Sequence, residues 1–206
     1  MQLTTIVVTR NKSASVKTLH TILKLNILCL ENDVHNKIIF TNDDSKSRRS
    51  QLQKNLKGTD RLLWIDYGIY IDENSLRQVL MRDWKWHGIV FPCVTEGINW
   101  DTFRKNIGTS EPITQKGLGF DTVVTRKIQD DFFSIETTDP RCFCVDAKHF
   151  LKNVKKIQTD FKDLFIELGQ TKFKAVAYTA ARLIVTYPHE CVGNILNAAG
   201  VTANKD

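Results

Sequence analysis

The chain has 206 residues, 42% of them hydrophobic and 25% charged, with four prolines and ten glycines. This composition suits one globular domain and excludes disordered, collagenous and linker-rich chains. The formal net charge is +6, and the excess lies early: residues 1–61 hold 11 Lys/Arg against 5 Asp/Glu, whereas residues 62–206 hold 18 of each. Such a bias fits either an anionic partner or a solvated basic helix.

Apolar runs such as Leu3–Val8 and Ile89–Val94 fall well short of the roughly 18–20 residues that cross a bilayer. The segment after Met1 lacks the basic start and small-residue cleavage site of a secretory leader. A cytoplasmic protein with no membrane span is expected. Five cysteines, an odd number, argue for reduced thiols over a disulfide framework.

Residues 3–9 form an apolar, β-branched run that stops at Arg10-Asn11-Lys12-Ser13, as a buried strand feeding a polar loop does. From Ala14 to Leu28 the apolar residues Val16, Leu19, Ile22, Leu23 and Ile27 recur at helical spacing, with Ser13 or Ser15 as N-cap. The unit repeats with a strand over Lys37–Thr41, turn chemistry at Asn42-Asp43-Asp44-Ser45 and a basic helix over Lys46–Leu56. A third unit places a strand at Arg61–Ile65, a loop at Asp66-Tyr67-Gly68 and a helix over Glu73–Met81 capped by Asn74 or Ser75. Gly88–Val94 reads as a fourth buried strand. Strands alternating with helices imply an α/β domain with a mostly parallel central sheet covered on both faces.

Residues 96–127 then hold four glycines among polar residues and read as loop, with a short helix at Trp100–Asn106. Strands at Phe132–Thr137 and Cys142–Val145 follow, then helices at Ala147–Lys155 and Asp160–Leu168, a strand at Leu183–Tyr187 and a helix after Pro188. No internal repeat or low-complexity tract is present.

In an open α/β sheet, ligands bind beyond the carboxyl ends of the strands, where the strand order reverses. Those ends here are Thr9-Arg10-Asn11, Asp43-Asp44-Ser45, Asp66-Tyr67-Gly68 and Thr95-Glu96-Gly97. Basic groups, hydroxyls, amides and carboxylates at one rim suit a phosphorylated ligand, with or without a divalent metal; each residue alone also suits a cap or turn. Neither GxxxxGK[ST] nor GxGxxG follows the first strand, which sets aside P-loop NTPases and dinucleotide-binding dehydrogenases. Cys142-Phe143-Cys144 has no second pair and reads as packing, not zinc. His189-Glu190-Cys191 is too compact for a thiol catalytic dyad. The basic stretch through Lys46, Arg48, Arg49, Lys54, Lys57 and Arg61 lacks interleaved aromatics, which weakens a nucleic-acid reading.

The sequence resembles GT-A type, family-2-like nucleotide-sugar glycosyltransferases, including those of large DNA viruses. Thr5-Ile6-Val7-Val8-Thr9-Arg10-Asn11 and the helix containing Leu19 and Leu23 are similar to that group's first strand and helix. Ile38 through Lys46 resembles its second-strand signature, and Leu62-Leu63-Trp64-Ile65-Asp66-Tyr67-Gly68 occupies the place of its DxD motif, without the second aspartate. The resemblance implies a single Rossmann-like GT-A domain over residues 1–206, with a nucleotide-binding half (1–95) and an acceptor-side half (96–206). It implies nucleotide contacts from Thr9, Arg10, Asn11, Asp43, Asp44, Tyr67 and Gly68. Asp66 and His189 are then the candidate ligands of Mn²⁺ or Mg²⁺; a helix-capping or core role for His189 stays open. Asp160, with Asp163 second, stands where the family places its acidic base, although Asp160 also suits a helix N-cap. Gly117-Leu118-Gly119 stands as a glycine loop over the sugar or a plain turn, and Trp100 as a stacking or packing aromatic.

The implied activity is transfer of a sugar from a nucleoside diphosphate sugar, UDP-sugar by the group's commonest base, to a hydroxyl of a glycan or glycoprotein, inverting and metal-assisted. The alternatives are a catalytically degenerate nucleotide-binding GT-A domain and a basic nucleic-acid-binding protein.

Overall fold

The computed structural model describes residues 1–95, 97–110, 116–155, 157, 160–179 and 184–185. Strand β1 (Gln2–Thr9) is buried from Leu3 onward and leads into helix α1 (Val16–Glu31). Strand β2 (His35–Asn42) and helix α2 (Ser45–Asn55) follow, then β3 (Arg61–Ile65), buried throughout. A short strand β4 (Ile69–Tyr70) precedes α3 (Glu73–Leu80), β5 (Gly88–Val90) and α4 (Trp100–Asn106). Then come β6 (Thr122–Gln129), β7 (Phe132–Thr138) and β8 (Cys142–Asp146). Helices α5 (Ala147–Asn153) and α6 (Phe161–Gly169) and strands β9 (Ala175–Tyr178) and β10 (Ile184–Val185) complete the described residues.

Eight strands form one sheet in the order β2-β1-β3-β8-β5-β9-β7-β6, and β10 pairs with β4 apart from it. The sheet is mixed, not mostly parallel. β1 runs parallel to β2 and β3, and β5 parallel to β9, but β8 is antiparallel to both β3 and β5. β6 and β7 are also antiparallel, as are β7 and β9. The cause lies in the connections: β6, β7 and β8 follow one another with no helix between them, and a parallel neighbour requires a long crossover.

Side chains alternate across the sheet and build a core on each face. Leu3, Leu63, Ile65, Ile89, Cys142, Cys144 and Val176 pack with Leu25, Leu28 and Cys29 of α1 and with Leu76 and Val79 of α3. On the other face Ile6, Val8, Leu62, Trp64, Val90, Phe143 and Val145 meet Leu52 of α2, Phe150 of α5 and Phe161, Leu164 and Phe165 of α6. Trp64 stands edge-on to Phe161, with ring centroids 4.8 Å apart. Cys142 and Cys144 lie fully within the first core, and burial raises both thiol pKa values.

Several local expectations change. Helix α1 buries Thr18, Thr21, Ile22, Leu25, Leu28 and Cys29, while Val16, Leu19, Leu23 and Ile27 stay exposed. Apolar residues surround this helix, so periodicity could not choose its face; two threonines help fix it, Thr18 Oγ1 donating to the Ile69 carbonyl and Thr21 Oγ1 accepting from Ile71 N–H. Helix α3 is capped by Asp72, which accepts from Ser75 N–H, in place of Asn74 or Ser75. The supposed loop over 96–127 contains most of β6, hidden because its side chains are largely exposed. β5 stops at Val90 and α5 at Asn153. The proposed helix after Pro188 lies outside the described residues.

Candidate functional site

The chain leaves β1 for β2 on one side, then crosses back over β1 to β3 on the other. α1 and α2 consequently pack on opposite faces. This is the strand-order reversal that leaves a crevice at the carboxyl ends of β1 and β3. A cleft of about 470 Å³ opens there, lined by Asp43, Asp44, Ser45, Arg48, Asp66, Asp139, Pro140, Arg141, Asp160 and Phe161.

A chain of alternating charges crosses this rim. Arg10, after β1, donates from Nε to Asp43 Oδ2 at 2.7 Å. Asp43 Oδ1 accepts from Nη2 of Arg48 in α2, and the same nitrogen donates to Asp66 Oδ1 at 2.9 Å. Asp66 Oδ2 lies 3.5 Å from Arg141 Nε, just before β8. The Asp66 side chain is 7% exposed and that of Arg141 15%, so these charges are weakly screened. Burial disfavours ionisation of Asp43, but hydrogen bonds from Arg10 and Arg48, together with their charge, prevail and lower its carboxyl pKa.

Local turns position these groups. Arg10 N–H donates to Ser13 O at 3.1 Å and Ser13 N–H to Arg10 O at 2.9 Å. Asn11 and Lys12 between them have φ of 50° and 58°, the left-handed pair of a type I′ turn. Asp66, Tyr67, Gly68 and Ile69 form a second turn, closed from Ile69 N–H to the Asp66 carbonyl. Gly68 has φ of 78°, as the third residue of a type II turn requires. The Tyr67 amide returns a hydrogen bond to Asp66 Oδ1 at 2.9 Å, and the Tyr67 ring lies 5.1 Å from the Arg10 guanidinium carbon. Arg141 is anchored in turn: Asp121 Oδ2 accepts its backbone N–H, and Asp121 Oδ1 accepts from Cys93 N–H and the Thr122 hydroxyl. Burial raises the Asp121 pKa despite these bonds.

Arg10, Asp43, Asp66 and Tyr67 therefore meet at one rim, with Gly68 in the turn that aims Asp66. Asp44 lines the same cleft while capping α2, its carboxylate accepting from Ser47 N–H. Asp160 also lines it and caps α6, accepting from Lys162 N–H at 2.8 Å. Asp163 is exposed in the first turn of α6. Thr9 is buried and donates to the Thr41 carbonyl, tying β1 to β2; it also lines a separate 380 Å³ hollow with Leu19, Phe40 and Asn42. Asn11 is exposed in its turn. Gly117 and Gly119 pack on Ile98 and Thr95, where an added Cβ would come within 2.7 and 2.8 Å. Trp100 lies edge-on to Phe103. His189 lies outside the described residues.

Sequence reasoning missed Asp139 and Arg141 and saw Arg48 only as part of a basic stretch. Asp139 shares the cleft with Asp160; burial and then the Asp160 charge raise its pKa. The available signal was Asp139-Pro140-Arg141 itself, a proline turn entering a buried strand.

A divalent cation on a nucleoside diphosphate takes one or two carboxylates along with phosphate oxygens and water. Asp66 is the described carboxylate the sequence offered, and its oxygens face Arg48, Arg141 and the Tyr67 amide. Position 68 is glycine. Among the described residues no three His, Cys, Asp or Glu side chains are grouped to hold an ion. With both of its oxygens engaged in this way, Asp66 does not fit a ligand of a resident Mn²⁺ or Mg²⁺.

No family model matches the chain, and no curated protein matches it in sequence. Its fold is GT-A-like by comparison with solved structures. The crystal structure of A197 from STIV matches with a TM-score of 0.54 and 14% identity, over 91% of this chain and 86% of that one. A crystal structure of GalNAc-T7 with UDP, GalNAc and Mn²⁺ matches with a TM-score of 0.55 and 11% identity. That match covers 90% of this chain and 44% of the other, so the present chain spans less than half its length. No described helix is long and apolar enough to cross a membrane.

Proposed function

We propose that the chain transfers a sugar from a nucleoside diphosphate sugar, UDP-sugar foremost, to a hydroxyl of a glycan or glycoprotein acceptor. The observation that carries this reading is the rim cleft, where Asp43, Arg48, Asp66 and Arg141 of the Arg-Asp-Arg-Asp-Arg chain share one space with Asp160 at a strand-order reversal. The GT-A-like fold supports it, and the UDP bound in the GalNAc-T7 structure suggests the nucleotide.

In the proposed reaction the acceptor oxygen bonds to the anomeric carbon as the bond from that carbon to the diphosphate oxygen breaks. The electron pair of the broken bond leaves with the diphosphate, and the acceptor proton passes to Asp160. One displacement inverts the anomeric centre. Guanidinium groups fixed before reaction oppose the charge developing on the diphosphate, and removing one such contact typically costs about 10² to 10³ in rate. Asp43, with Arg10 and Tyr67 at the rim next to it, stands on the nucleotide side of the cleft, and Asp160, with Asp139 beside it, on the acceptor side.

Gly68 in place of a second DxD carboxylate favours one alternative, a GT-A domain that binds nucleotide without turnover. A thermal-shift panel of nucleotide sugars, paired with an assay for released UDP, separates the two. Stabilisation by UDP-sugars with UDP release on adding acceptors is expected for the enzyme; stabilisation without release marks the degenerate domain. No response to any nucleotide, with salt-sensitive oligonucleotide binding, would reject both.

A further inference from the structure

We propose that this chain manages the diphosphate with guanidinium groups in place of a divalent cation, Arg48 and Arg141 being held for the task by Asp66. The inference rests on the nucleotide-sugar reading above. Asp66 is nearly buried, yet its carboxylate is spent on two arginines and an amide N–H, the surroundings of an organising counter-charge. A metal ligand needs its oxygen lone pairs turned toward the ion.

Arg48 has the spare capacity for this role. A guanidinium carries five N–H donors in a rigid fork. Only Nη2 is engaged with Asp43 and Asp66, and its Nε and Nη1 make no hydrogen bond among the described residues. The side chain is 21% exposed and lines the cleft, so the remaining donors are accessible to an anion. Arg141 faces the same cavity from the other side of Asp66. Of the five carboxylates there, Asp43 and Asp66 are paired with arginine, Asp44 and Asp160 accept backbone N–H groups at the starts of α2 and α6, and burial and the Asp160 charge disfavour the ionised form of Asp139. Arg48, braced by Asp66, offers the two-donor fork of bidentate phosphate recognition, and Arg141, with Nη2 donating to the Tyr67 carbonyl, adds a second fixed positive charge where a DxD metal would otherwise neutralise the diphosphate.

The test is calorimetric titration of UDP into the full chain, once with EDTA and once with excess Mn²⁺, on the unaltered protein and on Arg48→Ala, Arg48→Lys and Arg141→Ala. Expected are equal affinities under both conditions and a loss of about tenfold to a hundredfold for each alanine variant, with Arg48→Lys intermediate because it keeps the charge but not the fork. UDP binding that appears only with Mn²⁺ overturns this inference and leaves the nucleotide reading standing. So does an Arg48→Ala protein that binds UDP normally under EDTA. Absence of UDP binding under both conditions overturns both. The EDTA and Mn²⁺ comparison on the unaltered chain decides the matter even if a variant fails to fold.

Discussion

Arg48 on α2 and Asp66 at the end of β3 meet with Nη2 and Oδ1 2.9 Å apart, tying a surface helix to a central strand. Asp66→Asn keeps the shape and the Tyr67 hydrogen bond but leaves two guanidiniums without their shared counter-charge. Its expected effect is a loss of about 1–3 kcal/mol of stability, read by urea unfolding, and weaker UDP binding to the same degree with and without Mn²⁺. A variant that loses only a Mn²⁺-dependent part of the affinity returns Asp66 to the role of metal ligand.

Asp160 carries two assignments, helix cap and proton acceptor, and one substitution separates them. Asparagine caps a helix about as well as aspartate, so Asp160→Asn should unfold at the same temperature as the unaltered chain. It cannot accept the acceptor's proton. Turnover is expected to fall by about 10² to 10⁴ with UDP affinity unchanged, measured by UDP release and calorimetry. Full turnover confines Asp160 to capping.

The first half of the fold was legible because its strands are continuous apolar runs that end in polar turns, as Leu3 to Thr9 and Arg61 to Ile65 do. Those same ends made Arg10, Asp43 and Asp66 visible as rim residues. Arg141 was not visible, since β8 runs the opposite way and brings its amino end to the rim; the strand-end rule for parallel sheets does not reach it. The union of Arg48 and Arg141 on Asp66 joins residues distant in sequence and has no local periodic signature. β6 was hidden for another reason: it is an exposed edge strand whose Arg126 and Lys127 resemble loop chemistry.

The pH dependence of stability has a definite sign at Asp43. Its folded pKa lies below the ordinary 3.8: burial opposes ionisation, but the hydrogen bonds and charge of Arg10 and Arg48 outweigh it. The unfolded chain thus binds this proton more readily, and the stabilisation is present above the ordinary value and lost as pH falls through the folded one. Acid unfolding of the unaltered chain should steepen below about pH 4. In Asp43→Asn that part of the acid limb should flatten, as followed by circular dichroism; an unchanged limb removes Asp43 from the linkage.

Arg61 separates the basic early third into working and structural charges. It is 6% exposed, with Nη1 donating to the Val79 carbonyl at 2.6 Å and its guanidinium carbon 4.0 Å from the Trp84 ring. Burial lowers its pKa, and its position in the core withdraws it from any nucleic-acid surface. Arg61→Leu strands the Val79 carbonyl and removes the cation from Trp84, at a cost of about 2–3 kcal/mol. UDP affinity should stay unchanged in this variant, because the lost contacts anchor the end of α3 and not the rim. Denaturation and nucleotide titration on the same sample check both halves of the prediction; a loss of UDP binding in a folded Arg61→Leu protein would mean that charge at the base of β3 reaches the cleft at its other end.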